Sequence, residues 1–168
     1  MGKTKYGEYI FAEPIYKGSF APLIHICGEK HKCGDGVCPG SSFPGFPAEQ
    51  TLMVVTEPFE MKARIHAHDY DQLLYFLGGN PLNFFDFGAE VEVTLGEEQE
   101  KHLIKSTAIV YVPKGMLHCP INFRKVTRPI IFGHLCFAPE YSRSEGEMDS
   151  HPRSYDVYSP DEIRAFNQ

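Results

Sequence analysis

The sequence lacks several features that would place it in a large class of proteins. It has no hydrophobic run near the roughly 18 residues that a membrane-spanning helix requires, so we expect no membrane span. Its beginning, MGKTKYGEYIF, holds no long apolar segment with a small-residue cleavage site and does not predict a secretory signal. It also lacks an excess of positive charge, because the formal net charge is -6. This charge argues against nucleic acid or an anionic membrane as a partner.

Cysteine is scarce and odd in number, with five residues. At least one thiol would stay free in an oxidised chain, and without a secretory signal we expect reduced thiols and a cytoplasmic protein. Three of the cysteines fall in a group with two histidines, made of His25, Cys27, His31, Cys33 and Cys38. The run Cys-x5-Cys-x4-Cys does not match a zinc knuckle or ribbon. We interpret the group as a loop with incidental thiols, with a second, structural metal or a redox-active pair as the alternatives.

Short runs of β-branched and aromatic residues, separated by Gly and Pro, recur along the chain; examples are APLIHICG, TLMVVTEPFEM, AEVEVTLG and RPIIFGHLCF. They predict an all-β domain, either a sandwich or a closed barrel. The segments 96–99 (GEEQ) and 113–115 (PKG) have the composition of hairpin turns.

The length of 168 residues predicts one domain over residues 1–168, large enough to bury a substantial core. We expect this core within residues 51–138. We expect segment 1–50 to contain N-terminal strands followed by a long irregular loop. The loop is predicted over residues 28–50, which are rich in Gly, Pro and Ser.

Helix-forming segments are also scarce. The best candidate is SPDEIRAF in the C-terminal tail, residues 139–168. There Ser159 and Glu162 form a capping box, and Pro160 takes the first helical position. This pattern predicts one short helix at the end of the chain.

The clearest chemical signal is a pair of histidines one residue apart, in the stretch RIHAHDYDQLLYFLGG. On a strand His66 and His68 project from the same face, and Gln72 follows four residues later. A third histidine, His118, follows the Pro-Lys-Gly turn in VYVPKGMLHCPINF. Imidazole is the commonest protein ligand of zinc, copper, iron and nickel, so these residues predict a metal site with positions open to substrate. Ordinary strand histidines are the alternative.

These two stretches resemble the two signature motifs of the cupin superfamily, G-x5-H-x-H-x3,4-E-x6-G and G-x5-P-x-G-x2-H-x3-N. The resemblance covers residues 60–123. The matching residues are His66, His68 and Gly79 in the first motif, and Pro113, Gly115, His118 and Asn122 in the second. Three positions depart from the pattern: Glu60 and Thr107 replace the opening glycines, and Gln72 replaces a metal-binding glutamate.

The resemblance implies a cupin-type jelly-roll β-barrel with one divalent transition metal per chain, held by His66, His68, Gln72 and His118. The implied metal is one of Fe, Mn, Zn, Ni and Cu. An amide in place of a carboxylate leaves the centre one charge more positive, which favours anionic, oxygen-rich ligands and stronger Lewis acidity but a less tightly held metal. The alternative is a three-histidine centre that Gln72 only lines, as in the thiol dioxygenase branch of the cupins.

Two further residues are candidates for catalytic roles. Arg64 shares strand parity with the histidine pair and would point into the same cavity, where a guanidinium can clamp a substrate carboxylate; a place at the barrel rim is the alternative. His134 shares a face with Cys136 on the last predicted strand and could serve as a general base. A histidine satisfied by core or surface hydrogen bonds is the more common case.

We therefore predict a metal-dependent enzyme acting on a small, oxygen-rich, anionic metabolite. Redox-neutral isomerase or lyase chemistry is slightly favoured over a dioxygenase reaction, which needs iron, copper or manganese. The alternative is a cupin that binds a metal or small ligand without turnover. The strands before residue 25 exceed what one small barrel needs, and cupins often exchange such strands between subunits, so we expect a homodimer.

Overall fold

The computed structural model describes residues 5–6, 9–10, 16–17, 20–28, 32–33, 36–37, 41–42, 45–61, 63–139, 142 and 158–165. Within them the chain forms thirteen strands and one helix: β1 (Tyr16–Lys17), β2 (Pro22–Cys27), β3 (Lys32–Cys33), β4 (Gly36–Val37), β5 (Ser41–Ser42), β6 (Glu49–Val55), β7 (Phe59–Glu60), β8 (Gln72–Gly78), β9 (Ala89–Leu95), β10 (Glu100–Ile104), β11 (Ala108–Val112), β12 (His118–Val126), β13 (Ile130–Cys136) and α1 (Pro160–Ala165). The described part of the chain is therefore mainly β, as predicted.

Two sheets contain most of these strands. The larger has the order β1-β2-β6-β13-β8-β11, with β5 added parallel to β2, and the smaller has the order β10-β9-β12-β7. All the other pairings within these two sheets are antiparallel. Strands distant in sequence lie side by side, as β6 does with β13. Residues far apart along the chain can therefore meet on one face of a sheet.

The core lies between the two sheets, where alternate side chains of each strand point inward. Every second residue of β8 is buried, from Gln72 to Gly78. Phe76 of the larger sheet and Phe123 of the smaller are completely buried, with ring centroids 6.4 Å apart. Burial of one such side chain contributes about 1.5–3 kcal/mol. Along β8 the inward face changes from apolar at Phe76 to polar at Gln72, and the candidate site lies at this polar end.

The two predicted turns both form, but one joins neighbouring strands of the same sheet and the other joins strands of different sheets. Residues 96–99 close the hairpin between β9 and β10, with Gln99 N donating to Gly96 O at 3.1 Å. The second turn has Met116 N donating to Pro113 O at 3.0 Å and a φ of 81° at Gly115. The hairpin prediction is wrong there, because β11 pairs with β8 whereas β12 pairs with β7 and β9. This turn instead carries the chain from one sheet to the other.

The predicted C-terminal helix is confirmed as α1. Ser159 N donates to Glu162 Oε2 at 2.8 Å and Glu162 N donates to Ser159 Oγ at 3.3 Å, which is the reciprocal capping box. Lys17 Nζ also lies 2.9 Å from Glu162 Oε1 and links the helix to β1. No helix in the described ranges is long and apolar enough to cross a membrane.

The described residues cover only part of the predicted loop at 28–50. They include the short ribbon of β3 with β4 and the strand β5. Cys27 is buried on β2 as a reduced cysteine. His31 and Cys38 lie outside the described residues, as does the side chain of Cys33, so the interpretation of that group stays a prediction.

Candidate metal centre

Three buried histidines meet where the crossing turn approaches the histidine pair. His66 and His118 form an isolated β-bridge, with His66 N donating to His118 O at 3.1 Å and His118 N donating to His66 O at 2.9 Å. Gly115 N in the turn donates to His68 O at 2.8 Å. The exposed fractions of the three histidines are only 2–6%. Backbone hydrogen bonds thus join the two motifs and fix the histidines relative to one another.

The rings of these histidines are held by backbone carbonyls. Nδ1 of His66 donates to Arg64 O at 2.7 Å, Nδ1 of His68 to Ser142 O at 2.5 Å, and Nδ1 of His118 to Met116 O at 3.2 Å. A carbonyl oxygen only accepts, so each Nδ1 carries the proton and each Nε2 keeps its lone pair. This is the arrangement that metal-binding histidines adopt, because the second hydrogen bond sets the tautomer and orients the ring.

The three rings also converge. Their ring centroids are 4.4–5.0 Å apart, and ligand nitrogens of all three lie within 4.8 Å of one another. Three neutral imidazoles facing one point are suitable ligands for zinc, iron, copper or nickel. The predicted grouping of His66, His68 and His118 is therefore present in the fold.

Gln72 is the fourth predicted ligand, and its carboxamide has one end satisfied and one end free. Nε2 donates to Cys136 Sγ at 3.3 Å. Oε1 is buried and accepts no hydrogen bond from the part of the chain that the structure describes. A buried acceptor without a donor costs about 1–3 kcal/mol, and a cation beside it would offset that cost. Three imidazoles are a fitting donor set for a divalent transition metal, and ligation by the amide oxygen of Gln72 stays a prediction.

The histidine pair does not lie on a regular strand, contrary to our expectation. Only His66 and Ala67 bridge to a neighbouring segment, and β8 begins at Gln72. All of residues 66–68 are buried, so the alternation of faces does not hold there. A bend at Ile65 also separates Arg64 from the histidines, and the Arg64 side chain is exposed. Strand parity therefore does not place the Arg64 side chain on the face of the histidines, and its role as a carboxylate clamp stays a prediction.

Tyr70 and Ser142 are site residues that the sequence reasoning missed. The Tyr70 ring stacks on His68 with centroids 4.8 Å apart, and its hydroxyl donates to Ser142 O at 2.9 Å and accepts from Ser142 N at 3.0 Å. Ser142 O therefore accepts hydrogen bonds from both His68 Nδ1 and the Tyr70 hydroxyl. Tyr70 lies two residues after the His-x-His pair, a spacing that could have indicated it, but no local pattern marks Ser142.

A second buried polar group adjoins this centre and includes His134. His134 Nε2 lies 2.8 Å from Glu49 Oε2, and the His134 side chain is 12% exposed. The other oxygen of Glu49 lies 3.2 Å from His25 Nδ1 and accepts from Thr51 Oγ1 at 3.0 Å. Burial by itself raises the pKa of Glu49, but the two histidines outweigh it and hold the pKa well below its ordinary range. Glu49 is thus an ionised carboxylate in the interior, and the general-base role of His134 stays a prediction.

Cys136 lies between the two groups. Its Sγ lies within 4.8 Å of ligand atoms of Glu49 and His134, and it accepts the Gln72 amide hydrogen. Burial, followed by the negative charge of Glu49, raises the pKa of this thiol to about 12. The residue is therefore a neutral thiol at physiological pH and links the Glu49 group to Gln72.

No protein-family model matches the sequence, and no curated protein matches it. Solved structures similar to this chain include a cupin superfamily protein from Desulfitobacterium hafniense, with 9% identity and a TM-score of 0.40 over 71% of this chain and 81% of that one. The cupin domain of Cnp3 from Schizosaccharomyces pombe has 11% identity and a TM-score of 0.38, over 57% of this chain and 55% of that one. Hydroxypropylphosphonic acid epoxidase from S. wedmorenis has 14% identity and a TM-score of 0.37, over 54% and 43%.

The matched region thus spans about half of the length of the latter two proteins. Cupins are among the structures that this chain is similar to. The two mainly antiparallel sheets and the short C-terminal helix confirm the predicted all-β class, and the cupin-type jelly roll stays a prediction.

Proposed function

We propose that this protein is a metal-dependent cupin enzyme. In this proposal one divalent transition metal is held by His66, His68, His118 and Gln72. The enzyme acts on a small, oxygen-rich, anionic metabolite. The observation that carries the proposal is the convergence of three buried imidazoles whose Nδ1 protons are all taken by backbone carbonyls. Such a set offers three oriented lone pairs to one cation.

The charge of the ligand set supports an anionic substrate. Three neutral imidazoles and one amide bring no negative charge, so a divalent ion there would keep both of its positive charges. When bound, the metal would supply Lewis-acid stabilisation of negative charge that develops on a substrate oxygen. We favour redox-neutral isomerase or lyase chemistry on this basis, and dioxygenase chemistry is the alternative within the enzyme class.

Two residues of this chain would complete the reaction site. Arg64 lies two residues from His66, and its exposed guanidinium is free to meet a substrate carboxylate from the solvent side. His134 would hold or release a proton through its ion pair with Glu49.

The metal content of the purified protein tests the proposal. We expect about one transition metal per chain by elemental analysis, since the centre offers one group of converging ligands. The double variant His66→Ala/His118→Ala should lose this metal. The matched control is His102→Ala, because the His102 side chain is 47% exposed on β10 and lies outside the centre. Equal metal content in the double variant and the control would refute the site assignment.

A second candidate is a cupin that binds its ligand without turnover. It is favoured by the position of His134, the predicted general base, which groups with Glu49 and Cys136 and not with the three converging histidines. A screen of keto acids and sugars, with and without oxygen, separates the two functions. Turnover that requires the metal supports the enzyme, whereas saturable binding without product supports the binding protein.

A further inference from the structure

Three polar side chains lie in a row at one end of three neighbouring strands of the larger sheet, β6, β13 and β8. The register pairs Gln72 of β8 with Cys136 of β13, and Cys136 with Glu49 of β6. Directly opposed residues on neighbouring strands have their Cβ atoms about 4.5–5.5 Å apart and point to the same face. The three residues are 2% exposed or less, and their polar side chains contrast with the apolar core next to them.

The hydrogen bonds along this row have a direction. The Glu49 carboxylate, which can only accept, takes protons from Thr51 Oγ1 and the His134 ring. His25 Nδ1 lies 3.2 Å from the carboxylate and hydrogen-bonds Thr51 Oγ1 at 2.8 Å. Cys136 Sγ lies within 4.8 Å of a carboxylate oxygen of Glu49, which can only accept, so Glu49 is the acceptor toward which the S–H can turn while a sulfur lone pair faces Gln72. Sulfur then accepts from Gln72 Nε2 at 3.3 Å.

This direction decides which end of the Gln72 carboxamide faces away from Cys136. The two ends are alike in shape, and a carboxamide can rotate by half a turn unless its hydrogen bonds prevent it. After such a turn Oε1 would face the sulfur and take the thiol proton away from Glu49. The N–H2 group, which cannot bind a cation, would then replace the free oxygen.

We infer that Cys136, oriented by Glu49, is a positioning residue that fixes the Gln72 carboxamide with Oε1 available as a metal ligand. The inference rests on the proposed metal function and deepens it by assigning the Glu49–Cys136 pair to the metal centre. Cys136 does not touch the metal or the substrate; it acts through Gln72. Outer partners of this kind typically change metal affinity 10–100-fold when they are removed.

A double-mutant cycle between Cys136 and Gln72 tests the inference. Cobalt(II) is the probe, and its dissociation constant by chelator competition and its visible absorption spectrum are the two readouts. Cys136→Val fills the space of the thiol without accepting a hydrogen bond, and it should weaken cobalt binding roughly tenfold and shift the spectrum toward that of Gln72→Ala. In the Gln72→Ala background Cys136→Val should change neither readout, because the residue through which it acts is gone.

Cys136→Ser retains an acceptor and a donor at the same place and should restore affinity and spectrum to near wild-type values. Cys27→Ala is the control for loss of a buried thiol from the same sheet, and it should leave cobalt binding unchanged. If Cys136→Val does not fold by thermal melting, Cys136→Ala replaces it in the cycle.

The failure of this inference differs from the failure of the proposed function. A wild-type protein that binds no cobalt refutes the metal centre and the inference together. If the wild type binds cobalt but Cys136→Val weakens binding equally with and without the Gln72 amide, or has no effect, the metal centre stands and the positioning role is wrong.

Discussion

The substitution Gln72→Glu restores the usual cupin ligand and places a carboxyl group at a position that is 2% exposed. The size of the side chain is unchanged, so the effect is electrostatic. Without metal, a buried carboxylate must either stay charged or take up a proton, and protonation at pH 7 costs about 4 kcal/mol, from about 1.36 kcal/mol per pH unit above an ordinary pKa of about 4.3. The hydrogen bond from Nε2 to Cys136 is lost as well, at about 1 kcal/mol.

The metal reverses this penalty. Two unit charges 4 Å apart attract by about 4 kcal/mol at an effective dielectric constant of about 20, so an ionised carboxylate beside a divalent ion recovers the cost of its burial. We expect metal affinity to rise by roughly tenfold or more, since about 1.4 kcal/mol corresponds to tenfold. Binding of oxalate or pyruvate should weaken, because the net positive charge of the centre falls by one.

Thermal melting with cobalt and with a chelator measures both effects. A change of 1 kcal/mol shifts the Tm of a domain of this size by about 2–4 °C, so the metal-free Tm should fall by roughly 10–20 °C while the metal-bound Tm stays level or rises. Gln50→Glu on β6 makes the same change at a half-buried position whose neighbours across the sheet are Ile26 and Leu135, and it serves as the control. An unchanged gap between the two Tm values, with equal metal retention under chelator challenge, would refute ligation by Gln72 and return the centre to three histidines.

Four further outcomes follow from the same structure. Arg64→Gln should weaken oxalate binding while metal content stays constant, and equal oxalate affinity would remove Arg64 from the site. Gly133→Ala should destabilise the protein by about 1–3 kcal/mol in urea unfolding, because a Cβ there would lie 2.3 Å from the backbone oxygen of Thr51; a wild-type midpoint would contradict this. The lowered pKa of Glu49 gives stability that is present above an ordinary Glu pKa of about 4.3 and is lost as the pH falls below it, so Glu49→Gln should flatten the decline in unfolding free energy between pH 5 and pH 3. Light scattering should give a homodimer, and a monomer throughout the micromolar range would count against strand exchange by the residues before 25.

The sequence by itself determined the features that depend on near neighbours along the chain. The two stretches that resemble the cupin motifs supplied the four candidate ligands, His66, His68, Gln72 and His118. The capping box at Ser159 predicted the first residue of α1, Pro160, because its hydrogen bonds join positions only three apart. Such signals survive without a tertiary structure, since the covalent chain already holds the partners close together.

The tertiary structure alone decided which distant residues meet. Glu49 and Cys136 are 87 positions apart and become neighbours only when β6 pairs with β13, so no local pattern could assign them to one group. The register of those strands is set by burial of apolar side chains along their whole length, because a slip of one residue would turn every side chain to the opposite face. The bend before His66 likewise exposes Arg64, and Ser142 reaches His68 across 74 positions. The sequence therefore supplied the candidate metal ligands, and the fold supplied the hydrogen bonds that orient the three histidines.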